Sequence, residues 1–371
     1  MTVFVSILAF ILLLTVLILI HEWGHFTAAR LSGVKVEEFG FGLPPRAKTL
    51  FKKGDTEYTF NWIPFGGFVR LKGENAPTEH ERRSKGSFSS VAIWKRVFIL
   101  SAGVIMNFVL AVVLLTIGFS VGKWIPTYFS LEEMETAAEK GIIELELGVL
   151  IQDVVSGGSA AKVGVPAKSR LIAVDKVPVI KPDEVSPLQE GKSYVTYTVR
   201  TGEAWESEED FRVPVTEGKT GIEIVPFPVT LSAPQRAFVP ALALAFRETW
   251  AVSLQTVKGI GHLFKTLLFT GKVPEGIAGI VGIAQLTHAS VQEGFMTYLR
   301  LVALLSLSLA VLNILPFPAL DGGRLVFVFA EFVSRRPVNR KFELLTNAGG
   351  FLVLLLLLLL ITFYDVVRLF T

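Results

Sequence analysis

The chain has no cysteine. Disulfides are therefore excluded, and a metal site has only His, Asp and Glu to draw on. Histidine is scarce, with five in 371 residues, so any histidine cluster stands out. Charge is also sparse. Asp, Glu, Lys and Arg make up 19% of the chain, against about 25% in ordinary soluble domains, and they fall in blocks between long uncharged runs. The net charge of +3 provides no dominant basic face, which argues against nucleic acid as a partner. With 51% hydrophobic residues, the chain is too apolar for a soluble protein of this size.

Four of the uncharged runs have the length and composition of membrane spans. They are Met1–Ile20 and the stretches between Arg96 and Lys123, Arg300 and Asp321, and Glu343 and Asp365. The first has no basic n-region and no small-residue cleavage site before His21, so a retained span is expected rather than a signal peptide. Thirteen Lys and Arg face seven Asp and Glu between His25 and Arg96, and the Asp321–Glu343 connection is also basic. The long segment from Lys123 to Pro240 is acidic. Basic loops stay inside, so both termini are expected outside and His21 near the cytoplasmic end of the first span.

The expected fold is a polytopic α-helical membrane protein with four transmembrane helices, a cytoplasmic membrane-associated β-hairpin region and an inserted α+β domain. Residues 1–126 form an N-terminal membrane core, 127–232 an extracytoplasmic domain, and 233–371 a C-terminal membrane core. Residues 1–30 read as one helix ended by Ser32-Gly33. The glycine and proline cluster Phe39–Pro45 reads as loop. Strands are expected at Thr49–Lys52 and Glu57–Pro64, with extended chain from Phe65 to Leu71. Glu74–Ser90 is polar loop. Pro240–Phe269 reads as a membrane-lying amphipathic helix, and Gly276–Ala284 as re-entrant or loop-like.

The motif that organises the chain is His21-Glu22-Trp23-Gly24-His25. Residues four apart share a helix face. Two imidazoles can thus reach one zinc, with Glu22 beside them as general base. A third ligand is expected at Asp321. It follows Asn313-Ile314-Leu315-Pro316-Phe317-Pro318, where prolines two apart cannot continue a helix. Spans one and three both run inward, so Asp321 arrives at the depth of His21 and His25. Two histidines and a carboxylate leave one position open for water.

H-E-x-x-H in a first span, with N-x-x-P-x-P-x-L-D-G in a later one, resembles the site-2 protease family of intramembrane zinc metalloproteases. Gly40-Phe41-Gly42 and the inserted domain are similar to its bacterial RseP-like branch. Within residues 127–232, Gly158-Ser159-Ala160-Ala161-Lys162-Val163-Gly164-Val165 resembles a helix of PDZ domains. Leu147-Gly148-Val149 resembles their carboxylate-binding loop, while Ala167-Lys168-Ser169-Arg170 departs from their usual P-G-D.

The resemblance implies one zinc per chain on His21, His25 and Asp321, with Glu22 catalytic and Asn313 on the substrate backbone or the developing oxyanion. Extended chain at Phe60–Leu71 and Ile314–Ala319 is expected to hold an unwound substrate strand. The contacts there are Phe60, Asn61, Gly66 and Gly67 on one side and Pro316 and Pro318 on the other. The implied substrate is a transmembrane segment of a single-span protein, such as an anti-sigma factor or a remnant signal peptide. The implied setting is the bacterial inner membrane, with a peptide ligand for the PDZ-like domain outside. A catalytically degenerate PDZ scaffold and an intramembrane zinc carrier are the readings from other classes.

Overall fold

The computed structural model describes residues 2–74, 78, 80, 84–202, 205–274 and 276–370. Part of the Glu74–Ser90 loop thus lies outside the described residues. The chain divides into two compact units, one made of Met1–Gly122 with Gln235–Thr371 and the other of Lys123–Pro234.

The first unit is helical around a small sheet. α1 (Thr2–Leu31) is apolar up to His21 and ends where Gly33 turns left-handed. α2 (Ile93–Ser120) packs on it. Among the described residues four helices are long and apolar enough to cross a membrane: these two, Phe295–Ile314 and Arg340–Arg368. The chain is a polytopic membrane protein. α1 and α2 approach closely because both are small where they meet: a Cβ on Gly24 would lie 2.9 Å from the Gly103 Cα.

Between α1 and α2 stand β1 (Val36–Lys53) and β2 (Thr56–Leu71). Each is long enough to fold back on itself. Phe39 pairs with both Tyr58 and Val69, while Lys48 pairs with Phe60. The segments therefore lie in the order 67–71, 36–41, 57–61, 46–53. The Phe39–Pro45 cluster, expected as loop, is strand. Leu43 pairs with Ile63 and Arg46 with Asn61, so the two prolines are absorbed in a bulge.

The second unit holds α3 (Leu131–Glu139), β3 (Glu144–Val154), α4 (Ser159–Lys162), β4 (Ser169–Val174), β5 (Val177–Pro178), α5 (Val185–Gln189), β6 (Tyr194–Thr201), β7 (Ser207–Pro214) and β8 (Ile222–Ser232). The antiparallel sheet runs β7-β6-β4-β3-β8, with β5 on β4. β8 passes through Pro226 and Pro228, which its edge position tolerates because the outer N–H groups need no partner. The core is Val149, Ile151, Leu171, Val195, Tyr197 and Val213. Burial pushes the Tyr197 phenol up to about 12, and its hydroxyl bridges Gln189 and Thr220.

The chain returns to the first unit in α6 (Phe238–Thr270), a long helix with Phe246 and Trp250 exposed. Of the stretch read as re-entrant or loop-like, Gly276–Gly279 is non-helical and Ile280–Ala284 opens α7 (Ile280–Glu293). The Asp365 carboxylate accepts from the Gly279 and Gly282 N–H groups at 2.8 and 2.9 Å. It satisfies the free amides of the helix start from 83 residues away. α8 (Phe295–Ile314), α9 (Asp321–Ser334) and α10 (Arg340–Arg368) complete the unit. α9 falls in what read as a short connection. Its apolar stripe, with Val328 buried, packs against Ala28 and Ile99.

Candidate metal centre and its surroundings

α1 carries His21, Glu22 and His25 a few turns before its end, and α9 opens on Asp321. The structure brings the three expected ligands together. His21 Nε2 lies 3.0 Å and His25 Nε2 3.2 Å from the same Asp321 oxygen, Oδ2. The two Nε2 atoms are 3.1 Å apart. Among the described residues this is the one group of three His, Asp or Glu side chains able to hold a metal ion.

The donor chemistry fits a cation. His25 Nδ1 is 2.8 Å from the Ile99 carbonyl. A carbonyl only accepts, so Nδ1 carries the proton, and in the neutral ring that a metal requires the lone pair of Nε2 turns inward. The Asp321 oxygen also only accepts. Two lone pairs facing each other across 3.2 Å are repulsive unless positive charge lies between them. The triangle of ligand atoms is a few tenths of an ångström tighter than the about 3.3 Å edge set by zinc bonds of 2.0–2.1 Å. Both histidines are buried, at 7% and 9% exposure, so bulk water does not relieve the repulsion.

α2 backs this centre. Gly103 faces both imidazoles, and a Cβ there would sit 2.8 Å from His21 Nε2. One turn on, the fully buried Asn107 places its amide 3.4 Å from His21 Nδ1, with its Oδ1 lacking any partner. Exchanging the near-isosteric amide N and O lets Oδ1 accept from His21 Nδ1–H. That fixes His21 in the tautomer with Nε2 free, the arrangement His25 already has through Ile99. Asn107→Ala is expected to weaken zinc retention about 10- to 100-fold, measured by competition with a graded chelator. From sequence alone, a polar Asn107 within a span is as consistent with helix packing as with a role at the site. The signal for it was a glycine and an asparagine four apart in a span.

A cavity of about 240 Å³ opens beside the ligands, lined by Ile18, His21, Glu22, Leu309, Asn313, Ala319, Leu320 and Asp321. Glu22 and Asn313 thus share one space with two of the ligands. The β2 segment around Gly66 and Gly67 lies against α1 next to it. A Cβ on Gly67 would meet Leu19 at 2.9 Å and Glu22 at 3.9 Å. Gly66 faces Ile18.

The remaining expected substrate contacts divide. Phe60 is 47% exposed and Pro316 is exposed. Pro318 is half-buried against α10. Asn61 is buried, and its amide donates to the Phe41 and Gly42 carbonyls. Its amide pins the hairpin bulge, while its Oδ1 has no hydrogen-bond partner among the described residues. Ile314–Ala319 is not extended either. Phe317 N–H bonds the Leu315 carbonyl and Leu320 N–H that of Phe317, so local turns use amides that strand pairing would need. Prolines prevent helix, but they do not by themselves leave the chain open.

The other histidines lie elsewhere. His80 is exposed. His262 contacts Thr266 on its own helix, and His288 lies between Ser6 and Gln292.

The model of peptidase family M50 matches residues 9–357. A Fusobacterium nucleatum relative, provisionally named a zinc metalloprotease, is 30% identical over 369 residues, covering 97% of this chain and 98% of its own. Zinc metalloprotease RasP of Bacillus licheniformis is 27% identical over 447 residues, covering 98% of this chain and 99% of RasP. A Campylobacter jejuni relative, also provisionally a zinc metalloprotease, is 29% identical over 382 residues, with 98% and 94% covered. With the two histidines and the aspartate in contact, these matches define a metalloprotease of the site-2 class. The chain belongs to peptidase family M50.

Proposed function

We propose that the protein is a zinc-dependent endopeptidase that cuts transmembrane segments of single-span proteins inside the bilayer. The observation that carries this reading is the shared cavity, in which Glu22 and Asn313 flank His21 and Asp321. A structural metal site is closed by its ligands; a hydrolytic one keeps room for water and substrate.

His21, His25 and Asp321 hold the zinc ion, which when bound polarises the scissile carbonyl and brings the pKa of a water toward about 7. Glu22 takes the proton of the attacking water and returns one to the leaving amine. Asn313 donates from its amide to the carbonyl oxygen as negative charge grows on it. Asn107 and the Ile99 carbonyl keep the imidazoles facing inward. The hydrophobic helices around the cavity limit free water, so these groups act at low dielectric.

A helical substrate must be unwound before its amide is accessible. The segment Gly67–Leu71 pairs on one side with Val36–Phe41 and has no strand on its other side among the described residues. Its position beside Glu22 supports it as the edge that receives the unwound strand. The basic loops support both termini lying outside a bacterial inner membrane, with cleavage toward the cytoplasmic leaflet. Residues 127–232, read as a PDZ-like domain, then dock or size-filter substrates on the outer face, and anti-sigma-factor-like proteins or remnant signal peptides are the substrate classes.

The test is cleavage in proteoliposomes of a single-span protein whose outer domain has been trimmed. Chelation is expected to abolish product, and stoichiometric zinc to restore it. Zinc moving into vesicles with no peptide cut would sink the protease reading in favour of a carrier.

A further inference from the structure

The turn that delivers Asp321 is closed by its own Leu320 N–H to Phe317 carbonyl bond, but at the cost of a strained residue. Ala319, two residues before the ligand, has φ +73°, in the left-handed region. An L-residue with a Cβ is disfavoured there, and alanine has no polar side chain to compensate locally. A contact from outside the turn adds to the turn's own bond in holding it. The Ala319 N–H donates to Asn347 Oδ1 of α10 at 3.2 Å. Gly350, three residues on and therefore on the same helix face, is buried against the turn. A Cβ there would lie 2.5 Å from Pro318 Cβ and 2.6 Å from its carbonyl oxygen. Gly349 has nothing within 4 Å of its own. α10 thus presents to the turn one hydrogen-bond acceptor and one bare patch of backbone.

Displacement of the turn has nowhere to dissipate before the ligand. Gly322 and Gly323 seat the first turn of α9 directly on the carbonyls of Ile314, Leu315 and Phe317. Only Leu320 separates the left-handed residue from Asp321.

We propose that Asn347 is a positioning residue for Asp321, acting by holding Ala319 left-handed, with Gly350 as its companion seat. This rests on Asp321 being a metal ligand. Asparagine touches neither substrate nor metal in this arrangement. Its effect passes through two residues of backbone. A glycine at 319 would take the same conformation without help, and that difference makes the proposal testable.

The experiment uses the full-length protein in detergent. It measures zinc retention against a graded chelator and the d–d absorption of the cobalt-substituted protein. Asn347→Ala is expected to weaken retention about 10-fold and to shift the cobalt bands, as loss of an outer-shell partner does. Ala319→Gly alone should match wild type. The double variant should recover most of the retention and the wild-type cobalt spectrum, because the strained residue no longer needs its holder. Gly350→Ala should weaken retention without rescue by Ala319→Gly, and Gly349→Ala should have no effect. Wild-type retention in Asn347→Ala would overturn the proposal, as would failure of Ala319→Gly to rescue in a double variant that melts like wild type. Asp321→Asn separates the layers: if it keeps zinc at wild-type strength, the ligand reading itself fails, whatever Asn347 does.

Discussion

Glu22→Gln protein is expected to keep its zinc and lose its cleavage. Glutamine has the shape of glutamate and the same place on α1, so the packing beside Gly67 and the cavity wall survive. What it cannot do is accept a proton. General base catalysis contributes about 10²–10⁴ in rate, and here the same group returns the proton to a poor leaving group, so the loss lies at or beyond the top of that range. Elemental analysis of the purified variant measures the metal, and fragment yield from a reconstituted single-span substrate measures the chemistry. Because Glu22 lines the cavity but stands outside the ligand triangle, the two readouts should separate. Zinc loss in parallel with activity would make Glu22 part of the ligand shell. Full activity would remove it from the mechanism.

The contrast between what sequence exposed and what it hid follows from range. H-E-x-x-H is a local pattern: four residues along one helix set two imidazoles side by side, and any reader of helical periodicity finds them. Asp321 is 300 residues from His21, yet it was accessible because hydrophobic spans impose depth. Alternating spans bring chain positions to a common level as a sheet register brings strands into line. Where neither local period nor depth acts, sequence misled. The Phe39–Pro45 stretch has the composition of a loop, but β2 supplies bulge partners that local rules do not contain. α7 begins after Gly279, where a carboxylate on α10 caps it.

The residues that shape the centre without touching metal were the least visible. Gly24 and Gly103 look like ordinary small residues of packed membrane helices. Their separate meaning appears only where the spans cross. Gly24 lets α2 approach the turn of α1 that carries both histidines, and Gly103 is the surface the imidazoles meet. The crossing of the spans and the geometry of the ligands are thus one structural fact, set by two absent side chains.

Gly103→Ala is therefore expected to destroy the metal site without altering any ligand. The added methyl would lie 2.8 Å from both Cε1 and Nε2 of His21 and would crowd His25 Nε2 as well. Contacts this short cannot be absorbed by small shifts of the rings. His25 is tied to the Ile99 carbonyl of the same helix that carries the methyl. His21 is bounded by Asn107 on one side and Asp321 on the other. Moving the helices apart would give up the close α1–α2 packing at Gly24, which rests on Ala102 and Gly103 backbone. Overpacking of a filled interior costs about 1–3 kcal/mol, which a four-span protein survives, so the variant should insert and fold. The penalty falls on ligand geometry, and a loss of zinc affinity of about 100-fold or more is expected, since disturbing groups outside the ligand shell alone costs 10- to 100-fold. Ile105→Ala, at a position 49% exposed two residues along the same helix, controls for shortening or softening the span. Wild-type zinc content in Gly103→Ala would mean that α1 and α2 can separate freely at this level, and the link between helix crossing and metal geometry would be lost.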